Sequence, residues 1–386
     1  MITNRNFVFT GLLPWDAPLG SNVKDIAIEV SKHNRVIYVN TPLSYFEKTN
    51  LHDYRTQVVN PLRQIDERLW LLDCPFKVLP ANQIGNKCLF NVVNRYNNRK
   101  IARLIRSTLR QLKMDEIILF CDNDVYRSFY LKELLRPNLT VYYRRDNLGE
   151  VTYWQKHVFR MEPALCAKSD LVIANSEELA AAVRKYNPNT HNVGQGLDLD
   201  SYNIGNTYSV PNDIAAIRRP IVGYVGWITS LRLDAGLIYD MARNRPDYSF
   251  VMVGSEDDLF AKHQLHSLPN VHFLGNKRPE DVPAYVAAFD VCMNPQTVNE
   301  ITNANYPRKI DEYLALGKPT IATKTSTMKI FEACVATCTG LEDYLVALDD
   351  AVHNDSEEKR QNRIRLASSH SWENNVKSIY ERIEGS

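Results

Sequence analysis

No acidic residue occurs between Cys74 and Met114, although Lys77, Lys87, Arg95, Arg99, Lys100, Arg103, Arg106, Arg110 and Lys113 all fall inside that stretch. The imbalance is local, because the whole chain carries 46 basic and 45 acidic residues. A near-neutral balance argues against bulk nucleic-acid binding. Long apolar runs are also missing: none approaches the roughly 20 residues of a membrane span. No secretory leader precedes the first short apolar segment, where Asn4 and Arg5 stand, so a cytoplasmic protein is expected. The seven cysteines include no CxxC pair, and free, buried thiols are expected. Cys334 with Cys338, and His263 with His266, lack the two further ligands a structural metal needs, so no metal is expected. No G-x-G-x-x-G follows a strand, and Gly317-Lys318 lacks the upstream glycine of a P-loop, which removes dehydrogenase and ATPase readings.

At 386 residues the chain is long for one core, and two domains with a cleft between them are the natural division. The N-terminal half alternates apolar strands with helical patterns: NFVFTG, a turn-rich segment holding Pro14, Asp16, Pro18 and Gly20, a helical pattern from Val23 to Ser31, then RVIYVNTP and LWLLDCPF. That alternation builds a parallel sheet. Gly20 and Ser21 then fall at its carboxyl edge, where a glycine before a helix lets backbone amides approach a phosphate or sugar; the alternative is a plain loop. EIILFCDND and LTVYYRRDN end in charged residues aimed at the cleft, Asp146 among them. Within the acid-free stretch, Ile101, Leu104, Ile105, Leu109 and Leu112 recur at helical spacing, giving an amphipathic helix with a basic face. Such a helix rests on anionic lipid, or it packs on the sheet with a solvated back.

Residues 203–219 suit a linker, and YSFVMVG, NVHFLG, FDVCMNP and PTIAT, separated by helical patterns at 234–243, 279–288 and 308–316, form a second doubly wound sheet. The segment NYPRKIDEYLALGKPTIAT, from Asn305 to Thr323, reads as a short helix bounded by Pro307 and Gly317 and feeding a buried strand. Lys309, Glu312 and Tyr313 stand at i, i+3 and i+4, which puts a cation, a carboxylate and a phenol on one face near a helix N-terminus. That combination suits a nucleotide diphosphate: free amides and Lys309 for the phosphates, Glu312 for the two ribose hydroxyls. The alternative is an ordinary surface helix with both charges solvated.

The pattern P-x-K-x-x-E-Y-L-A-x-G-K-P resembles the donor-site helix of retaining glycosyltransferases of family 4, with the two-domain GT-B fold, in the branch that builds capsular and teichuronic-acid-type polysaccharides. SDLVIANSEELAAAVRKY and HNVGQGLDLDSY resemble the end of that family's N-domain, and HSWENNVKSIYERI its final crossover helix. The resemblance implies an α/β protein of two Rossmann-like doubly wound domains facing a cleft. An acceptor-side domain would cover 1–202, with the helix 371–386 packed back on it, and a donor-binding domain 203–370. It further implies sugar transfer from a nucleotide diphosphate-sugar to a glycan or polyprenyl-linked acceptor, without metal or other cofactor, the donor's own phosphate oxygen taking the acceptor proton.

Donor binding then falls to Gly20, Ser21, Gly226, Asn305, Tyr306, Glu312 and Tyr313, and catalysis to Arg232 and Lys309, with Asp146 orienting the acceptor. The chain departs from the family signature G-R-x-x-x-x-K, in which the basic pair grips the diphosphate: Trp227 holds the Arg slot and Arg232 the Lys slot. Ala304 stands where the family has a sugar-binding acid, leaving Glu300, Asn303 or Asn305 to take over. A GT-B-type nucleotide-sugar epimerase is the alternative enzyme, and both departures keep open a catalytically silent GT-B binding subunit. The basic region 95–113 is expected to face an anionic membrane, and nucleic acid is not an expected partner.

Overall fold

The structure is a computed structural model describing residues 1–17, 20–45 and 60–386; Pro18 lies outside them. The chain divides into two compact units, 1–194 with 372–386, and 195–371. The first crossing therefore falls before Gln195 rather than after Tyr202, because Leu197 and Tyr202 are already buried in the core of the second unit.

In unit 1 the strands are β1 (Asn6–Thr10), β2 (Arg35–Val39), β3 (Leu62–Asp66), β4 (Leu69–Leu72), β5 (Ile117–Asp122), β6 (Leu139–Arg144), β7 (Leu171–Ala174) and β8 (Thr190–Asn192). They form one sheet in the order β3-β4-β2-β1-β5-β6-β7-β8, parallel except for the edge strand β3. The helices are α1 (Asn22–Ser31), α2 (Lys87–Leu112), α3 (Leu131–Leu135), α4 (Val158–Lys168) and α5 (Glu177–Arg184). Near-continuous apolar strands such as Ile117–Asp122, buried at every position, are what a parallel sheet covered on both faces requires. Strand order reverses around β1, so the ends of β1, β5 and β6 form the switch point at which open sheets take ligands.

Unit 2 carries β9 (Ile221–Val225), β10 (Ser249–Val253), β11 (Val271–Gly275), β12 (Val291–Asn294), β13 (Thr320–Thr323) and β14 (Ala336–Cys338), all parallel in the order β11-β10-β9-β12-β13-β14. Its helices are α6 (Asn212–Ala215), α7 (Ala235–Asn244), α8 (Val282–Ala288), α9 (Glu300–Ala304), α10 (Arg308–Ala315), α11 (Leu341–His353) and α12 (Glu357–Ser369). The reversal here lies around β9. The last helix, α13 (Trp372–Glu384), returns to unit 1, where Trp372, Val376, Ile379 and Tyr380 join the core beside Phe7 and Val30.

Helix α2 is longer than its apolar stripe predicts, starting at the capping Asn86 rather than near Ile101. The stripe itself is core: Ile101 and Ile105 are buried, and Leu104, Leu109 and Leu112 pack against the same cluster. These residues are therefore not the ones that meet a lipid surface. Of the cysteines, only Cys88 is exposed, while Cys334 is half-buried and the others are buried.

Candidate functional site

The carboxyl edge of unit 2 is built around two glycines. Gly226 and Gly254 directly follow β9 and β10 and hold φ values of +136° and +145°, a region that L side chains avoid. A β-carbon on Gly254 would overlap the Gly226 carbonyl, and one on Gly226 would sit 2.8 Å from Lys309 Cε and Nζ. The missing side chain at Gly226 thus leaves room for the Lys309 ammonium, which also lies 5.0 Å from the centre of the Tyr224 ring. Among the described residues Lys309 makes no ion pair, so a cation waits at the end of the central strand, in the first turn of α10. The amides expected to be free are mostly spent, Arg308 N–H donating to the Tyr306 carbonyl at 3.0 Å and Ile310 N–H to the Pro307 carbonyl at 2.9 Å, so the Lys309 charge and the positive end of the helix are what favour an anion there.

Glu312 lies one turn further along α10. Its side chain is only 17% exposed, pairs with Arg308 Nε at 3.4 Å, and accepts from the Tyr202 hydroxyl. Burial pushes its pKa up, opposed by Arg308 and Lys309. The alternative of a fully solvated carboxylate on a surface helix therefore does not hold for Glu312. Asn305, just before the helix, has a buried Oδ1 with no hydrogen-bond partner among the described residues, an acceptor free for a ligand hydroxyl or amide.

Two expected contacts do not survive. Tyr313 is fully buried, and its hydroxyl accepts the Val225 N–H at 3.0 Å, tying α10 to β9 beneath the site. Tyr306 turns its hydroxyl to Asp311 Oδ2, 2.7 Å away, and to His370 Nδ1 at 3.2 Å. Asp311 itself is wholly buried and reaches His370 Nδ1 at 2.7 Å; burial raises its pKa against these partners. Both tyrosines hold the helix in place instead of meeting a donor.

Arg232 stands on the loop after β9, its guanidinium exposed and without an ion pair among the described residues. The loop is braced against the one after β12, where Thr297 N–H donates to the Arg232 carbonyl at 3.0 Å and Asn299 Nδ2 to the Leu231 carbonyl at 2.9 Å. Asp257 pins its other side, accepting from Ser230 N–H at 2.7 Å and from the Thr229 hydroxyl at 3.0 Å, which with further donors draws its pKa down to about 2 against the effect of burial. Trp227, 60% exposed, occupies the lip of the loop. Gly254, Asp257, Asp311 and His370 were not legible as site-builders. Gly254 alone left a signal, a glycine at a strand's end.

The remaining candidates lie in unit 1. Gly20, at φ +64°, precedes α1, and Ser21 spends its hydroxyl capping that helix at Lys24 N–H, so the serine oxygen serves the fold. Asp146 follows β6 and pairs with Arg145 Nη1 at 2.7 Å. Arg145 Nε also reaches Asp122 Oδ1 at 2.8 Å, and Asp122 Oδ2 accepts the Leu12 N–H at 3.2 Å. One buried carboxylate thus ties together the ends of β1, β5 and β6, its pKa raised by burial and pulled back by Arg145. The paired acids Asp122 and Asp124 serve this turn, Asp124 accepting from the Tyr126 and Arg127 amides, and Asp198 likewise closes a turn over Asp200 and Ser201. No group of three or more His, Cys, Asp or Glu that could hold a metal is gathered among the described residues.

Two parallel doubly wound units with an anion-ready edge on the second define the GT-B class of glycosyltransferase folds. Residues 219–354 match the model of the glycosyl transferases group 1 family. The chain is 26% identical over 245 residues to the putative teichuronic acid biosynthesis glycosyltransferase TuaH of Bacillus subtilis, a match spanning 61% of this chain and 60% of that protein's length. Among solved structures, Anabaena Alr3699/HepE in complex with UDP and glucose superposes with a TM-score of 0.65 at 18% identity, over 99% of this chain and 100% of that one. The E. coli trehalose-6-phosphate structure bound with UDP-2-fluoro glucose gives 0.70 at 10% identity over 99% of both chains.

Proposed function

We propose that this protein is a glycosyltransferase that moves a sugar from a nucleotide diphosphate-sugar to a glycan or polyprenyl-linked acceptor in surface polysaccharide assembly, with retention at the transferred carbon. The observation that carries the reading is the unpaired Lys309 ammonium held at Gly226, at the end of the central strand of unit 2. A nucleotide diphosphate placed there meets Lys309 at the positive end of α10, its ribose reaches Glu312, and Asn305 offers an acceptor to the sugar. Lys309 and Arg232 stabilise the diphosphate as charge develops on it, while Asp146 addresses the acceptor. The bound UDP of the Anabaena neighbour, and the teichuronic acid biosynthesis in the name of the Bacillus relative, support this choice of substrates. The reaction asks for no metal or cofactor in this reading.

The protein works in the cytoplasm, its basic region 95–113 turned to the inner membrane face; no helix among the described residues is long and apolar enough to cross a membrane. Incubation with a panel of nucleotide sugars, with and without glycan acceptor, tests the function. Nucleotide diphosphate released only with acceptor supports transfer. Acceptor-independent change of the sugar marks an epimerase, and binding without turnover marks a silent subunit.

A further inference from the structure

We propose that the outward face of α2 and the first turn of α4 form one surface that docks on an anionic lipid bilayer, Leu89, Val92, Tyr96 and Phe159 entering the interface while neighbouring cations meet the headgroups. Val92 and Phe159 are 67% and 74% exposed, and Leu89 and Tyr96 54% and 50%. Leu89, Val92 and Tyr96 share one side of α2, at i, i+3 and i+7. The same side continues as Arg99, Arg103, Arg106 and Arg110, so this face is apolar over its first turns and basic over the rest. The core-facing side of the helix is a different set, including Phe90, Asn94 and Ile101.

Contacts weld the two helix starts together: Arg160 Nη1 donates to Asn91 Oδ1 at 3.1 Å, and the His157 ring stacks on Phe90 with centroids 3.8 Å apart. The apolar cluster is therefore presented by a fixed scaffold. Charge selects the occupant. The sequence holds no acid from Cys74 to Met114 or from Val151 to Met161, and Lys87, Arg95 and Lys156 stand exposed around the apolar side chains. Large apolar groups set among exposed cations, in two segments that contain no acid, match an anionic interface that accepts both.

Placement gives the surface a use. A helix that follows a parallel strand starts at the carboxyl edge of the sheet, so α2 and α4 begin beside the edge where ligands bind. A lipid-linked acceptor would be delivered there. That purpose rests on the acceptor proposed above, whereas the docking itself does not.

The full chain should sediment with equimolar phosphatidylglycerol–phosphatidylcholine vesicles at low salt, less at high salt, and hardly at all with phosphatidylcholine alone. Replacing Leu89, Val92, Tyr96 and Phe159 by Ser should cost about tenfold or more in partitioning per side chain. Arg99→Glu, Arg103→Glu and Arg110→Glu should cost at least about fivefold each. An environment-sensitive dye on the exposed Cys88 should shift to the blue on adding anionic vesicles. Thermal melting, unchanged in both variants because every altered side chain is exposed, guards against unfolding. Absence of vesicle binding by the unaltered protein overturns the proposal, as does a serine variant that still binds equally well. A concentration-dependent dimer abolished by the serine substitutions, without vesicle binding, would assign the face to a second copy and also overturn it. Vesicle binding by a protein that transfers no sugar would leave this surface standing and sink the proposed reaction alone.

Discussion

The two units share an architecture yet finish their carboxyl edges in opposite ways. In unit 1 the strand ends are charged but closed: Asp122, Arg145 and Asp146 satisfy one another in a chain of contacts at 2.7–2.8 Å. In unit 2 the corresponding edge is open, with Lys309 in the space left by Gly226 and Arg232 exposed on its loop, neither holding a carboxylate among the described residues. A neutralised edge suits a neutral partner such as a sugar hydroxyl, and cations that hold no carboxylate among the described residues suit a diphosphate.

Breaking the closed edge should give the largest effect. Asp122→Asn removes one side of a buried ion pair and should destabilise the protein by about 3 kcal/mol or more, read by denaturant unfolding, while nucleotide affinity stays the same. On the open edge the balance inverts. Lys309→Ala should leave the melting temperature nearly unchanged but lower kcat by a factor corresponding to about 3 kcal/mol, because charge on the departing diphosphate exceeds that of the ground state. A rise in KM with kcat intact would make Lys309 a simple binder. Glu312→Gln should weaken nucleotide-sugar binding by about 1.5–3 kcal/mol in calorimetry; equal affinities would remove Glu312 from the ribose.

A pH effect is the smallest expected. Asp257, with its pKa drawn from 3.8 down to about 2, holds the loop that carries Arg232. A depressed carboxylate adds stability above its unfolded pKa and loses it as pH falls through the folded value, so the loss should run from about pH 4 to pH 2. After allowance for solvent screening it should amount to about 1 kcal/mol. Asp257→Asn should abolish that step in the acid unfolding curve, and an unchanged curve would show that the loop does not depend on this carboxylate.

The alternation of strand and helix, the short helix after Pro307 and the glycine after β9 were legible because each leaves a local mark: an apolar run, a proline, a break. What escaped had its cause elsewhere in the chain. Spacing put Tyr313 on a face with Lys309 and Glu312 but could not say that β9 lies against part of that face, which buries the phenol. The first half of α2 hid its helical period because its inward positions are asparagines, kept in the core by bonds from Asn94 and Asn98 to the Tyr126 carbonyl and from Asn97 to Leu79. Asp311 and His370 stand 59 residues apart and meet only once the fold is made. The edge strand β3, LRQID, is exposed at most positions and carried no apolar alternation to find.

In the proposed function the nucleotide diphosphate-sugar binds at the carboxyl edge of unit 2, between the β9 loop and the start of α10. Hydrogen exchange of the full chain with and without saturating UDP tests it most directly, since binding orders backbone amides wherever it occurs. Slowed exchange is expected across residues 226–232 and 305–312, retained weakly in Lys309→Ala and unchanged in Asp146→Asn. Protection confined to the ends of β1, β5 and β6, with residues 226–232 and 305–312 unaffected, would contradict it.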